Sequence, residues 1–496
     1  MHDSVARDLR NTPLVREVES FYAALHAPGS SAVTDAGDLD VTRDGRRASF
    51  SGSIFLSLEE PPQPCVVTVD LERRTLHREP LGGELGARMP RWSPDGDTLA
   101  FLCDRASAGD FQLHLRDAAG SIRAAPPVEG VIESLSWSPD GRSLLLCVAG
   151  LGADLAGCQG GATTRRPVDA LPAWMPNIDT GDADNLWRHA WVLEVESMAL
   201  TRIGPERLNI WEACWLGAQK IAAVASDSHS EAAWYDARLV AIDCVAATES
   251  LLLQPTDQIG VPAATPRGDR IAVIDAICSD RMIVCGELRI VDARSGGSTV
   301  VDTQRVDVTH VVWRNDDVLV FSGMRGLDTA VGEFDVRTGQ VQILWSSFDR
   351  TGSGWYPSIA AHPRAGALMI GEAWGVPPEL AIIDERGYTP VVSFGTAAAS
   401  APGFSPARAE PFVWSGRDGL EIHGVLIRPA GPGPHPLVMD IHGGPVWACR
   451  NRWEGRLRGA KVLADHGIAS LYPNPRGSTG RGRTFAGMIK GEMGGE

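Results

Sequence analysis

Two stretches of the chain are near copies of each other: PRWSPDGDTLAFL at residues 90–102 and LSWSPDGRSLLLC at residues 135–147. Trp92 and Trp137 hold equivalent positions, 45 residues apart. In each copy a Ser-Pro-Asp-Gly turn joins two runs of apolar and β-branched residues, which is the chemistry of a hairpin. Self-similarity at this period is the mark of a repeat architecture. Looser copies extend it: DVTRDGRRASFS around Val41, ACWLGAQKIAAV at Trp215, AATPRGDRIAVI at Ala264, VVWRNDDVLVFS at Trp313 and AAHPRAGALMIG at Ala361. The seven positions are separated by 51, 45, 78, 49, 49 and 48 residues.

A second marker runs in phase, a strand-like run that closes on an acid: Asp70, Asp117, Glu196, Asp243, Asp292, Asp335 and Asp384. Two markers that each recur seven times predict seven antiparallel units of about four strands, a seven-bladed β-propeller over residues 35–405. The repeated tryptophans are expected to pack blade against blade and the acids to end strands, so neither set is assigned chemistry. The long step from Trp137 to Trp215 holds a Gly-, Ala- and Asp-rich insertion, of the length at which loops carry function or motion. Before the first repeat, Leu14, Val15, Val18, Phe21, Tyr22 and Leu25 recur at helical spacing until Pro28-Gly29. Residues 1–34 are read as a helical arm whose apolar stripe needs a neighbouring domain to cover it.

Composition agrees with a multidomain globular chain. The 496 residues are 44% hydrophobic and 22% charged, and a single core rarely grows beyond about 250–300 residues. A net charge of −16 argues against nucleic acid as a partner, since its backbone would need a basic face. No run reaches the length of a membrane span and the N-terminus lacks a signal-peptide core, so a cytoplasmic location with no membrane partner is expected. The nine cysteines include no C-x-x-C pair and read as reduced core thiols. No metal and no cofactor are expected, and the sequence leaves homo-oligomer formation open.

Beyond about residue 406 the repeat markers stop. EPFVWSGRDGLEIHGVLIRPA reads as two strands, PLVMDIHGGP as a buried apolar strand running into two glycines, GRLRGAKVLADHG as a helix ended by Gly467, and IASLYPNPRGSTG as a further strand with a glycine-rich exit. Strand, loop, helix, strand is the start of an α/β sheet, assigned to residues 406–496. In His442-Gly443-Gly444-Pro445 the missing side chains let a backbone N–H approach a developing oxyanion closely.

A propeller, then HGGP at 442–445, then Asn474-Pro475-Arg476-Gly477-Ser478-Thr479-Gly480, resembles the prolyl oligopeptidase family of serine peptidases, and within it the acylaminoacyl peptidase branch. The resemblance covers nearly the whole chain. It implies an α/β-hydrolase domain, an arm packed on that domain, and amide hydrolysis by acyl transfer on short or N-acylated peptides, with the propeller limiting access. It carries the oxyanion donor to Gly444, with Gly443 second, and a loop-organising role to His442. Arg476 faces the active-site cavity or serves as a structural hydrogen-bonding residue.

The sequence departs from the family in one respect: G-x-S-x-G, the turn that presents the nucleophile, does not occur in it. The fragments at Gly403–Ala407 and Arg476–Gly480 each lack one glycine. The catalytic Ser, Asp and His are therefore expected to be missing, the hydrolase domain truncated, and the chain inactive alone. Glu59-Glu60, in the first repeat, reads as a solvated turn and not as an amine anchor. Two other classes fit the same residues: a propeller that binds or scaffolds beside a non-catalytic hydrolase remnant, and an esterase-type α/β hydrolase.

Overall fold

The computed structural model describes residues 9–81, 86–155, 157, 186–364, 366–399, 406–457 and 459–492. Most of the insertion after Trp137, residues 403–405 and the last four residues lie outside them. Among the described residues the chain is mainly β, arranged as eight sheets. Seven follow one another along the sequence, within 35–78, 87–124, 131–203, 209–253, 258–300, 307–347 and 351–393. Each is an antiparallel meander of four strands, except that the seventh carries one extra short strand.

Each sheet packs on the next, and the first strand of the first sheet, Asp35–Val41, packs on Ile359–Ala361 and Ala367–Ala373 of the seventh. Phe50, Val67 and Val69 of the first sheet share one apolar cluster with Leu368, Ile370 and Leu380 of the seventh. This cyclic order of packing is consistent with a β-propeller.

All seven copies of the first marker lie at or near the end of the first strand of their sheet, or in the seventh at the end of Ile359–Ala361. The tryptophans stitch neighbouring sheets. Trp137 Nε1–H donates to the Arg91 carbonyl (3.0 Å), Trp215 to Ser136 (3.1 Å) and Trp313 to Ala263 (2.9 Å). In every case the acceptor is the residue just before the equivalent position one sheet earlier. Trp92 breaks the pattern, since its Nε1 has no hydrogen-bond partner among the described residues and the Arg47 guanidinium lies over its ring at 4.4 Å. Trp92, Trp215 and Trp313 are buried. Trp137 is only half-buried, because it packs at the rim of the apolar cluster of the second and third sheets and not inside it. The acids of the second marker cap the turns that follow them: the Asp243, Asp292 and Asp335 carboxylates each accept from two backbone N–H groups two and three residues on.

The eighth sheet is of a different kind. Arg408–Ser415, Glu421–Arg428 and Ala469–Asn474 are antiparallel neighbours, and Leu437–Met439 adds to the last of these in parallel. The strand leading to the glycine pair is not buried as the sequence suggests: Leu437, Val438 and Met439 are 53%, 42% and 50% exposed. Among the described residues it is an edge strand, paired only with Ala469–Asn474.

The N-terminal helix Pro13–His26 is capped by Thr12, whose hydroxyl accepts from Val15 N–H, and ends on Ala27 in the left-handed region. Its Phe21 and Leu25 pack with Trp453 and Val462, and the Glu17 carboxylate meets His466. The helix thus touches the C-terminal part of the chain, while Arg456 of that part pairs with Asp35 of the first sheet.

Candidate active site

After Met439 the chain is held to the eighth sheet once more, by Asp440 N–H donating to Leu471 (2.9 Å), and then leaves it through His442, Gly443 and Gly444. Gly444 has φ 129°, a conformation that side chains rarely adopt, and a Cβ there would lie 3.0 Å from Val446 N. A Cβ on Gly443 would meet nothing within 4 Å. Both glycines are exposed. The loop therefore presents backbone with no side chain in front of it, the condition under which an N–H can reach a ligand oxygen.

His442 is fixed by both ring nitrogens. Nδ1 lies 2.8 Å from the Gly443 carbonyl, which can only accept, so the proton sits on Nδ1. Nε2 then accepts from the Ser478 hydroxyl at 3.0 Å. Burial pushes the imidazole below its ordinary value, and the contact with the Gly443 carbonyl opposes this in part. The ring is accordingly neutral near pH 7, with neither nitrogen left for a substrate proton.

Ser478 belongs to the second motif, whose other residues explain the rest of the geometry. Asn474 grips the backbone of Cys449, accepting from its N–H (2.7 Å) and donating to its carbonyl (3.0 Å). Thr479 N–H donates to the Trp447 carbonyl (3.1 Å), and its hydroxyl meets the Tyr356 hydroxyl (2.9 Å). The buried Asp307 carboxylate accepts from Gly480 N–H (2.7 Å) and Gly482 N–H (3.0 Å). Arg483 reaches Asp257, Asp275 and Glu287. The motif and the residues just after it thus tie the glycine loop's own segment to the fifth, sixth and seventh sheets. Arg476, the remaining candidate, forms an ion pair with Asp418 in the turn between the first two strands of the eighth sheet. That pairing gives its guanidinium a structural partner.

Arg450 is a second bolt. It is fully buried, and burial lowers its pKa to about 9. Its Nη1 donates to the Trp355 carbonyl (2.8 Å) and its Nη2 to that of Gly354 (3.1 Å). These contacts hold the loop 352–356 of the seventh sheet beside the glycine loop. From the fifth sheet Ser279 also approaches, its Oγ lying 3.5 Å from where a Cβ on Gly444 would sit.

The sequence directs attention to His442, Gly443, Gly444 and Arg476. It gives no signal for Tyr356, Asp307, Ser279 or Arg450, which carry no motif. Asn474, Ser478 and Thr479 lie inside a quoted motif, and their roles emerge only with the fold.

No family model matches the chain. Among curated proteins it is 37% identical over 90 residues to the uncharacterized peptidase YuxL of Bacillus subtilis, and 38% over 86 residues to a probable dipeptidyl-peptidase 5 of Emericella nidulans. These matches cover 18% and 17% of this chain and only 13% and 12% of the relatives. Among solved structures, Pyrococcus horikoshii acylaminoacyl peptidase superposes with a TM-score of 0.67 at 17% identity, over 92% of this chain and 67% of that one. A puromycin-hydrolyzing peptidase of Mycobacterium tuberculosis gives 0.61 at 14% identity, over 94% and 70%. At such identities the structural likeness is one of fold. Taken with the stretches of closer sequence identity, it relates the chain to the prolyl oligopeptidase family of peptidases.

Proposed function

We propose that residues 35–405 form a seven-bladed β-propeller, preceded by an arm over 1–34 and followed over 406–496 by the N-terminal part of an α/β-hydrolase domain. The assembly is read as part of a cytoplasmic serine peptidase that cleaves short or N-acylated peptides by acyl transfer, with the propeller restricting access. The observation that carries this reading is the glycine loop 443–444. It presents unshielded backbone at the end of a hydrolase-type strand and is held against propeller loops through Arg450 and Thr479.

In the reaction, a serine activated by a histidine attacks the amide carbonyl. Charge builds on the carbonyl oxygen, and N–H groups of Gly444 and then Gly443 stabilise it, an effect worth about 10²–10³ in rate per donor. Water then hydrolyses the acyl-enzyme. His442 takes no proton in this scheme. It holds the loop, with its tautomer set by the Gly443 carbonyl and its far nitrogen by Ser478.

Because G-x-S-x-G is absent from the sequence, the reaction needs a nucleophile that residues 1–496 do not supply. The same absence favours a second reading, a propeller that binds peptides beside a hydrolase part without activity. The two are separated by assaying N-acetyl peptide amides, free-amine dipeptide amides and simple esters on the chain extended by a segment with the elbow and the Asp and His that activate its serine. Turnover of the acetylated amides supports the peptidase. Binding without turnover supports the module, and turnover of esters alone supports an esterase.

A further inference from the structure

One hydrogen bond recurs at the end of the sheets where the repeat's turns lie. The residue just after the third strand donates its N–H to the carbonyl of the residue just before the second: Leu71 to Arg46 (2.9 Å), Val195 to Arg142 (2.9 Å), Cys244 to Gln219 (3.0 Å), Ala293 to Asp269 (3.0 Å) and Val336 to Asp317 (2.9 Å). The second sheet omits it. Extending its Leu99–Arg116 pairing by two residues sets Ala118 N–H opposite the Asp97 carbonyl, yet neither group makes a hydrogen bond among the described residues. Ala119 N–H is also without one, because Asp117 accepts from Ser121 (2.8 Å) and not from the N–H two residues on, as Asp70, Asp243, Asp292 and Asp335 do. Between these two turns lies a cavity of about 260 Å³, lined further by Trp92, Arg116 and, from the first sheet, Arg47. It is remote from the glycine loop: Arg47 follows the turn after Val41, and the C-terminal part meets the other end of that strand, where Arg456 pairs with Asp35.

From this we infer that the gap between the two turns of the second sheet is a binding site for a free α-amino acid. Two successive backbone N–H groups, Ala118 and Ala119, form the kind of concavity that takes an anion. The guanidinium groups beside them hold donors in reserve: Arg47 commits one to the Gly96 carbonyl (2.7 Å) and Arg116 one to the Glu79 carboxylate, out of five on each. These groups take the ligand carboxylate. Its ammonium takes the Asp97 carbonyl, the Asp97 carboxylate, which has no partner among the described residues, and the Asp117 carboxylate. A ligand that is only an anion would face two aspartates, and one that is only a cation two arginines; a zwitterion satisfies both pairs with charge-assisted hydrogen bonds. The volume lies below the roughly 300–1,000 Å³ of pockets for drug-sized ligands, which suits one amino acid with its side chain toward Trp92. The assignment does not rest on the peptidase reading.

The test is a calorimetric titration of residues 1–496 with L-leucine, with N-acetyl-L-leucine, which lacks the ammonium, and with L-leucinamide, which lacks the carboxylate. L-Leucine should bind saturably, and each of the other two about tenfold or more weaker, the loss expected for a charged hydrogen-bonding group. Asp97→Asn and Arg47→Gln should each weaken L-leucine by about tenfold or more. Both residues are exposed, so the thermal midpoints of the variants should match that of the wild type and tie the loss to the site. Absence of saturable L-leucine binding overturns the assignment. Equal or tighter binding of N-acetyl-L-leucine makes the gap an anion site and also overturns it. Unaltered affinity in Asp97→Asn puts the bound leucine elsewhere, the glycine loop included, and does the same.

Discussion

Acid should loosen the C-terminal part of the chain through His423. This residue lies in Glu421–Arg428, is 7% exposed, and its Nε2 has no hydrogen-bond partner among the described residues. Burial first, and the nearby Arg481 cation second, lower its pKa from 6.5 to about 4. Above pH 7 the ring is neutral in both the folded and the unfolded chain, so it contributes no pH dependence. As the pH falls below 6.5 the unfolded chain takes up the proton and the folded one does not, so stability declines until the folded ring also protonates near pH 4. A shift of 2.5 units between 6.5 and about 4 corresponds to roughly 3.4 kcal/mol at about 1.36 kcal/mol per unit. The assay is native-state hydrogen exchange of the amides in Glu421–Arg428, at pH values from 7.5 to 4, for the wild type and His423→Gln. The difference in opening free energy between the two should be constant above pH 7 and change by about 3 kcal/mol toward pH 4, the wild type losing more. Parallel curves would refute the reasoning, since they would mean that the ring takes up its proton without cost.

Trp313→Phe removes a donor to Ala263 and should cost about 1–3 kcal/mol, whereas Trp92→Phe, at a residue whose Nε1 has no partner among the described residues, should cost less; thermal midpoints of the two variants compare them directly. Arg483→Ala deletes contacts to Asp257, Asp275 and Glu287, so hydrogen exchange over 477–490 should accelerate with little change in the seven-sheet part; a lower midpoint for the whole molecule would mean that Arg483 also supports the seven sheets. Leu25→Ala opens space beside Trp453 and Val462 and should weaken protection of Ala460–Asp465, at a cost of about 2–5 kcal/mol. Unaltered exchange there would show that the helix does not support the C-terminal segment.

The seven sheets were legible because the repeat writes the same local chemistry seven times, and both markers fall at equivalent strand ends even where Val41, Ala264 and Ala361 replace the tryptophan. What the tryptophans do was half legible. Burial follows from residue type, but the donation of Trp137, Trp215 and Trp313 to carbonyls one sheet back depends on how sheets stack, which no single repeat encodes. Leu437–Met439 misled because an apolar run does not reveal whether it has neighbours on one side or two. At the candidate site, the glycines of 443–444 announced themselves through the freedom that absent side chains give the backbone. Arg476 drew attention as a charged residue in a glycine-rich motif, yet its partner is Asp418. Ser478 and Asn474, in the same motif, hold His442 and Cys449 through contacts 36 and 25 residues apart in sequence. Tyr356, Arg450 and Trp355 act across the junction of the two parts, where pairs about 95 to 123 residues apart meet. Only the folded chain reveals such pairs.

The proposal that Gly443–Gly444 form the oxyanion loop of a serine peptidase, with no activated serine within residues 1–496, can be tested directly. A direct measurement is labelling by a fluorophosphonate probe, which reacts with a serine only when a base activates it, on residues 1–496 and on the same chain extended by a segment bearing G-x-S-x-G and the Asp and His that activate its serine. Residues 1–496 should show no labelling above the level of denatured protein. The extended chain should label stoichiometrically, with labelling lost when the elbow serine is replaced and slowed when the Gly443–Gly444 loop is disturbed. Stoichiometric labelling of residues 1–496, abolished by Ser478→Ala, would overturn this proposal and make the Ser478–His442 pair the catalyst.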